Sequence, residues 1–154
     1  PELDVVSLLH GDFRSGNFMF DEETGEITGW LDWERGYLGD RHRDLAWTML
    51  RLFGSHDEET GEFLVSGLVP ESRFLAEYER LSGLPVDRTR LRWYRVLNAY
   101  QMMVSNFATG YRVVKLGRSH QDVLLALVEG AVYSLAQELL DALEEVPHGA
   151  RPMA

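Results

Sequence analysis

The sequence HGDFRSGN at residues 10–17, followed by DWE at residues 32–34, holds the residues with the clearest chemical meaning. Asp12 and Asn17 stand five residues apart, and Asp32 opens the second stretch. Phosphoryl transfer from ATP needs a carboxylate beside the acceptor hydroxyl and hard oxygen ligands that hold Mg²⁺ on the phosphates. Asp12 can accept the proton of the hydroxyl, and Asn17 and Asp32 can supply metal ligands. The two stretches therefore predict a phosphoryl-transfer site that uses Mg²⁺ and ATP.

Short apolar runs on both sides of the first stretch have the length and composition of β-strands. Residues 5–9 form one such run, and residues 17–20 and 27–31 form two more. The last two runs flank the acidic segment DEETGE at residues 21–26, a pattern that predicts a β-ribbon closed by a turn. The same six letters recur at residues 57–62. We interpret both copies as solvated turns.

From residue 41 onward the apolar residues follow the spacing of helices. The predicted helices comprise residues 41–53, ended by Gly54; residues 70–83; a long helix from Asp87, with a kink or break at Gly110; and residues 120–145. The last of these carries four acidic residues that we interpret as a solvated face: Glu138, Asp141, Glu144 and Glu145. This order predicts a small strand region followed by a helical body.

The first stretch, taken together with LDWERGYLGDRHRDLAW at residues 31–47, resembles the aminoglycoside phosphotransferase and choline kinase superfamily. The combined form HGDxRxGN…DWExxxxGDxxxDLAW is most similar to the branch found beside or fused to acyl-CoA dehydrogenases. The matching motifs cover residues 9–47, about a quarter of the chain. The resemblance implies an α+β, mostly helical fold. This fold is the C-terminal lobe of a protein kinase-like structure, with a short β-ribbon at the catalytic loop.

The resemblance also implies a role for individual residues. Asp12 is implied to be the catalytic base, and Asn17 and Asp32 are implied to be the magnesium ligands. His10 is implied to support the catalytic loop. Asp44 is implied to brace that loop from the helix that follows, in a buried position where it accepts hydrogen bonds from the backbone near His10.

The function implied is ATP-dependent phosphorylation of a hydroxyl on a small molecule, with Mg²⁺ and ATP or another nucleoside triphosphate as cofactors. Three residues that follow the metal site, Glu34, Tyr37 and Asp40, are candidates to face the substrate. Aminoglycosides, choline-like amines, homoserine-like metabolites and hydroxyacyl thioesters all remain open as substrates. The acidic net charge favours a cation, whereas the similarity to the dehydrogenase-linked branch favours a hydroxyacyl group.

Parts of a complete kinase are absent from the sequence. It has no GxGxxG loop to cover phosphates and no lysine ahead of the catalytic loop, because its single lysine is Lys115. Nine residues precede His10, and the first of them is Pro1. We therefore expect a fragment that lacks the N-terminal ATP-binding lobe and is inactive alone. An apolar surface should be exposed where that lobe would pack, and it would favour self-association.

Two other functions remain open at this point. A metal-dependent hydrolase could use His10, Asp12, His42 and Asp44, although that reading leaves Asn17 and the position of Asp32 unexplained. A non-catalytic interaction module derived from a kinase lobe is the second alternative. Zinc in the protein would favour the hydrolase, whereas magnesium-dependent nucleotide binding would favour the kinase.

Length and composition set the remaining limits. The 154 residues predict one domain, with a catalytic loop and metal-binding ribbon at 1–35, a helical body at 36–146 and a loose tail at 147–154. A net charge of −10 argues against nucleic acid as a partner, since phosphates repel such a surface. No apolar run is long enough to predict a membrane span. The absence of cysteine excludes disulfides and thiolate metal sites and fits a cytoplasmic protein.

Overall fold

The computed structural model describes residues 3, 5–115 and 122–144, and over these ranges the protein is an α+β structure. The strands are β1 (Val6–Leu9), β2 (Phe18–Phe20), β3 (Ile27–Trp30), β4 (Tyr37–Asp40), β5 (Ser55–His56), β6 (Phe63–Val65) and β7 (Val69–Pro70). The helices are α1 (His42–Thr48), α2 (Glu71–Ser82), α3 (Arg88–Lys115) and α4 (Asp122–Glu144). Single-turn 3₁₀ helices occupy Ser15–Asn17, Trp33–Arg35 and Arg51–Phe53. The tail expected at residues 147–154 lies outside the described residues.

The predicted β-ribbon is confirmed, because β2 and β3 pair antiparallel across the first DEETGE segment. Asp21 begins that turn, and its Oδ1 accepts hydrogen bonds from the backbone N–H of Glu23 and Thr24, at 2.9 and 2.8 Å. The second DEETGE segment joins β5 to β6 and repeats this geometry, with Asp57 in the place of Asp21. Both turns lie largely in solvent, as predicted. The same six residues thus build the same turn twice.

Strand β4 was not predicted from the sequence. It pairs antiparallel with β1, so that Leu9 lies opposite Tyr37 and Val6 lies opposite Asp40. The pairing brings the chain that follows the predicted metal site back beside the residues that lead into His10. It therefore fixes the two motif-bearing stretches relative to each other.

The helical body differs from the prediction in three places. Residues 55–70 form the antiparallel sheet β5-β6-β7 instead of continuing a helical pattern. The first helix stops at Thr48, and a separate 3₁₀ turn carries Phe53 up to Gly54, where an added Cβ would lie 2.3 Å from the ring of Phe63. Of the kink or break predicted at Gly110, the break is wrong, since α3 continues through this residue.

The other helix ends agree with the sequence. Helix α2 ends at Gly83, whose φ of 69° is the left-handed conformation common at helix C-termini. At the start of α3, Oδ1 of Asp87 accepts hydrogen bonds from the backbone N–H of Thr89 and Arg90, at 2.8 and 3.1 Å. A side-chain cap of this kind satisfies amide groups that have no partner inside the helix.

The core lies between α1, α2 and α3. Leu45 and Met49 of α1 pack with Leu75 of α2 and Leu91 of α3. A second, smaller cluster joins Trp47 and Leu50 to Ala99 of α3, with Leu139 of α4 packed against it. Because α1 is held on these sides, the side chains it directs toward the motif stretches have fixed positions. Within the described ranges, each helix is too short or too polar to cross a lipid bilayer.

Candidate active site

His10 connects the loop of residues 10–17 to the end of the ribbon. The residue is 3% exposed, and its Nε2 lies 2.7 Å from the carbonyl oxygen of Leu31. Its Nδ1 accepts the backbone N–H of Asp12 at 3.3 Å. A carbonyl oxygen only accepts hydrogen bonds, so the proton of the neutral imidazole is on Nε2. The ring thus positions both Asp12 and the residue before Asp32.

Asp44 holds the same loop from α1. Its Oδ2 accepts the backbone N–H of His10 at 2.6 Å, and its Oδ1 accepts that of Gly11 at 3.1 Å. These are the hydrogen bonds that the resemblance predicted, although the residue is partly rather than fully buried. Burial raises the pKa of the Asp44 carboxyl above its ordinary value, while the two backbone hydrogen bonds oppose that rise.

The Asp12 carboxylate is held by three side chains. Its Oδ2 accepts a hydrogen bond from Nδ2 of Asn17 at 2.7 Å, and its Oδ1 accepts one from Nε1 of Trp47 at 2.8 Å. Nε of Arg14 lies 3.2 Å from both oxygens. Burial pushes the pKa of Asp12 up, but the hydrogen bonds and the guanidinium charge outweigh it, so the pKa lies below its ordinary value. The carboxylate is therefore ionised and oriented.

Arg14 and Trp47 were not assigned a role from the sequence. Both rest on Phe53, because the Arg14 guanidinium lies 5.5 Å from the centre of the Phe53 ring and the Trp47 and Phe53 rings are 5.6 Å apart. A Cβ on Gly16 would lie 2.2 Å from Nη1 of Arg14, so glycine leaves room for the guanidinium. Their places in HGDFR and DLAW were the only signal in the sequence for a role beside Asp12.

Asn17 is hydrogen-bonded to the backbone of Leu31, the residue before Asp32. Nδ2 of the buried Asn17 donates to the carbonyl and carboxylate oxygens of Asp12, at 2.8 and 2.7 Å, which leaves Oδ1 for a cation. The Leu31 N–H donates to the carbonyl oxygen of Asn17 at 2.8 Å. Asp32 follows directly, exposed and in the left-handed conformation with φ of 65°.

The donor set of Asn17 and Asp32 fits magnesium. Both offer hard oxygen atoms, and Mg²⁺ is commonly bound by one or two side chains together with phosphate oxygens and water. In the described part of the chain, no group of three or more His, Cys, Asp or Glu side chains is placed to hold a metal by itself. Asn17 and Asp32 could hold such an ion together with ligands from outside the chain.

The three candidates for substrate contact have different surroundings. Glu34 and Tyr37 are exposed, and the Tyr37 hydroxyl accepts a hydrogen bond from Nη1 of Arg43. Asp40 does not face a substrate, contrary to expectation. It is 3% exposed, and its Oδ1 lies 2.6 Å from Nδ1 of His42, while its Oδ2 accepts a 2.9 Å hydrogen bond from Arg90. Asp40 is a structural residue that joins β4, α1 and α3.

The side chains named for a hydrolase do not form one site. His42 is fully buried, and its two ring nitrogens are occupied by Asp40 and by the backbone N–H of Asp87, the latter at 2.9 Å. His10 is likewise occupied, by Leu31 and Asp12. With both imidazoles engaged in this way, neither is available as a metal ligand.

Known proteins resemble this chain in sequence and in fold. A model described as the phosphotransferase enzyme family matches residues 2–95. The chain belongs to the phosphotransferase enzyme family. An aminoglycoside 3'-phosphotransferase of Streptomyces fradiae is 30% identical over 100 residues, which are 65% of this chain and 34% of that protein. A probable acyl-CoA dehydrogenase of Arabidopsis thaliana, IBR3, is 27% identical over 150 residues, covering 85% of this chain and 18% of that protein.

A crystal structure shares the fold of this member of the phosphotransferase family. A Ralstonia eutropha protein described as an aminoglycoside phosphotransferase superimposes with a TM-score of 0.70 at 21% identity. The superposition covers 92% of this chain and 44% of that one. The chain therefore spans less than half of each of these relatives, and the resemblance stated from its motifs is confirmed.

Proposed function

We propose that this phosphotransferase-family chain is the catalytic lobe of a kinase that transfers phosphate from ATP to a hydroxyl of a small molecule. One observation carries the proposal. Nδ2 of Asn17 donates to Asp12 at 2.7–2.8 Å, and the N–H of Leu31, the residue before Asp32, donates to the Asn17 carbonyl oxygen at 2.8 Å, so the proposed base contacts one proposed metal ligand and the second follows one residue beyond a bond to it. The mostly helical α+β architecture and the superposition support placement as the C-terminal lobe of a kinase-like fold.

Asp12 acts on the acceptor. Its carboxylate is ionised, so it accepts the proton as the hydroxyl oxygen bonds to the terminal phosphorus, and the bond from that phosphorus to the bridging oxygen breaks. Trp47 and Arg14 keep the carboxylate oriented through the hydrogen bonds they donate. Positioning of this kind, rather than covalent chemistry, provides most of the catalysis in phosphoryl transfer.

Asn17 Oδ1 and the Asp32 carboxylate would hold Mg²⁺ together with the nucleotide. The ion, when bound, supplies charge neutralisation on the phosphate oxygens. His10 and Asp44 act through the loop, because the first links Asp12 to Leu31 and the second binds the backbone of residues 10 and 11.

The chain would work together with a further lobe that covers ATP, in a longer cytoplasmic protein. The single lysine of the chain is Lys115, so a lysine for the phosphates of ATP would come from that lobe. The partners we propose are a small-molecule hydroxyl substrate and either this lobe or, without it, another copy of the chain. We propose no role for nucleic acid or membranes.

Three substitutions in the full-length protein test these roles. Asp12→Ala should lower turnover about 10²–10⁴-fold, the usual worth of general-base assistance, while affinity for Mg²⁺-ATP stays near that of the wild type. Asp32→Ala should weaken Mg²⁺-ATP binding as well as turnover, because it removes a metal ligand. Asn17→Ala should fall between the two. Titration of Mg²⁺-ATP and steady-state rates, measured side by side, give the comparison.

Glu58→Gln is the matched control, since Glu58 is an exposed carboxylate in the second DEETGE turn. It should leave rate and affinity unchanged. The assignment would be wrong if Asp12→Ala lost ATP affinity while Asp32→Ala kept both affinity and rate. Turnover of substrate without any nucleotide would contradict the kinase reaction itself.

A further inference from the structure

Arg35 places a positive charge over Trp47, the residue whose indole N–H donates to Asp12, and this arginine has no role in the reaction described above. It ends the 3₁₀ turn Trp33–Arg35 that follows Asp32, and it is exposed. We propose that Arg35 binds a negatively charged group of the acceptor, so that the substrate is a hydroxy compound bearing a carboxylate or a phosphate. This inference rests on the proposed kinase function and names the substrate class of the same site.

The backbone of Arg35 is fixed to the catalytic loop. A Cβ added to Gly11 would lie 2.3 Å from the Arg35 carbonyl oxygen, so the two backbones are in direct contact. The N–H of Gly36 closes the turn by donating to the carbonyl oxygen of Trp33 at 2.8 Å. The Arg35 backbone therefore contacts the catalytic loop at Gly11, the residue before Asp12.

The Arg35 side chain is directed over Trp47. Its guanidinium carbon lies 5.1 Å from the centre of the indole ring, the geometry of a cation–π contact. The same indole donates its Nε1 hydrogen to Asp12 at 2.8 Å. The base and the guanidinium are thus held by one aromatic ring. A small acceptor whose hydroxyl lies at Asp12 can reach Arg35 with a second group a few bonds away.

No carboxylate of the described residues pairs with Arg35. Other arginines of these ranges are paired, with salt bridges of 2.7 Å from Arg51 to Asp141 and from Arg80 to Glu77. Arg35 lies on an aromatic face instead and is exposed, and its guanidinium carries five N–H donors. A planar guanidinium in this state matches the two oxygens of a carboxylate or phosphate.

The local charge differs from that of the whole chain. Arg14 places a second guanidinium at Asp12, with which it forms an ion pair, while a third of its side chain is exposed, so cationic groups as well as the carboxylates of Asp12 and Asp32 lie in this part of the structure. Charges beyond about 8–10 Å are largely screened at physiological ionic strength. The net charge of −10 therefore says little about the acceptor that this site binds.

An acceptor series on one carbon skeleton tests the proposal in the full-length protein. The series contains a four-carbon hydroxy acid, the phosphate monoester of the corresponding diol, the neutral diol and the amino alcohol. We expect kcat/KM to be highest for one of the two anions, and the better of them identifies the group. Arg35→Gln should raise KM for that anion about tenfold, the worth of one hydrogen bond to a charged group, and should leave KM for ATP unchanged.

The matched control is Arg80→Gln, which removes an exposed arginine charge from α2 and should alter none of these constants. Arg35→Lys should restore part of the affinity for the anion. Preference for the diol or the amino alcohol would overturn the anionic acceptor while leaving the kinase reaction intact. An equal loss of kcat for all acceptors in Arg35→Gln would also overturn it, since Arg35 would then act on the transferred phosphoryl group.

A binding measurement separates the two proposals. The Trp47 indole contacts both Arg35 and Asp12. Its N–H resonance should therefore shift when the hydroxy acid or the monoester is titrated into wild-type protein. It should not shift in Arg35→Gln. If no acceptor is phosphorylated but this titration behaves as stated, the kinase function fails and the anion site stands. If the resonance is unaffected by both anions, the anion site fails.

Discussion

Gly11 is the residue of the catalytic loop where an added side chain would do most damage. Its φ is 78°, in the left-handed region that costs other L-residues roughly 1–2 kcal/mol. A Cβ there would also lie 2.3 Å from the carbonyl oxygen of Arg35. The residue therefore needs glycine for two reasons, backbone conformation and the close approach of a second segment.

The substitution Gly11→Ala should destabilise the protein by several kcal/mol, because backbone strain and overpacking add. Gly25 supplies a control, since its φ is 71° but nothing lies within 4 Å of an added Cβ. Gly25→Ala should cost only about 1 kcal/mol. Denaturant unfolding of both variants measures the difference, and equal losses would show that the contact with Arg35 does not constrain the loop.

Motif spacing predicted part of the site at residue scale. Asp12, Asn17 and Asp32 could be named as candidates from their residue types and spacing, and the hydrogen bond from Asn17 to Asp12 brings two of them into contact. Trp47 could not be assigned a hydrogen bond to Asp12, because that contact depends on how α1 packs beside the loop. Asp40 was named as a candidate to face the substrate for the same reason, since its burial depends on the pairing of β4 with β1 and on Arg90 of α3.

At the scale of elements, α4 is tied to the region around the base through Glu138. This residue is 5% exposed, and its two carboxylate oxygens each lie 3.2 Å from the backbone N of Arg51, the first residue of the 3₁₀ turn that carries Phe53. Phe53 in turn supports Trp47 and Arg14. The solvated face predicted for this acidic set is therefore wrong at Glu138, whereas Glu144 is exposed as predicted.

Burial raises the pKa of Glu138, although the Arg51 N–H and the charge of Arg95 oppose that rise. An acid with a raised pKa in the folded state binds protons more tightly there than in the unfolded chain. Its contribution to stability is thus greatest below the ordinary glutamate range and falls as pH increases through the raised pKa. Glu138→Gln should flatten this decline, as measured by unfolding free energy against pH.

Two further variants complete the test on α4. Glu138→Ala should cost roughly 1–3 kcal/mol throughout this range, because it leaves the Arg51 N–H without its acceptor. Glu144→Gln, an exposed change on the same helix, should keep the pH profile of the wild type. A profile that Glu138→Gln leaves unaltered would show that the buried carboxyl is not the group that titrates.

Elements with a long, regular pattern were predicted well, and very short ones were not. The start of α3 at Asp87 and the end of α2 at Gly83 follow from cap residues and helical spacing. Strands β5 and β7 have two residues each, too few to show an alternating pattern. Strand β5 forms because the second DEETGE turn folds the chain back and Gly54 lets Phe63 approach, whereas β7 pairs with β6 across the turn at residues 66–68.

At the scale of the whole molecule, α3 has an apolar face that no described residue covers. Its exposed side chains recur every three, four or seven residues, which places them on one side of a helix. They are Trp93 at 47%, Tyr100 at 52%, Val104 at 42% and Phe107 at 59% exposure. Large exposed apolar patches are typical of sites where another protein segment binds.

We expect the isolated 154-residue chain to associate with itself and to show no measurable kinase turnover. The apolar face favours association, and the groups that would hold ATP from the other side are not in this sequence. Sedimentation over a range of concentrations should show reversible oligomers that Tyr100→Lys with Phe107→Lys reduces. Lysines at the exposed Glu58 and Glu59 provide the control. A monomer with robust Mg²⁺-dependent transfer would contradict both expectations.

The role of Leu31 has a consequence for how sequences of this kind can change. The Leu31 N–H donates to the Asn17 carbonyl oxygen, and the Leu31 carbonyl oxygen accepts from the His10 ring. The Leu31 side chain is 46% exposed. Almost any amino acid can make the same two backbone hydrogen bonds, so the residue type at this position can vary while the bonds are kept. Alanine scanning would overlook it, and homologues could differ there freely. Only proline, or an ester in place of the amide, would break the Asn17 bond.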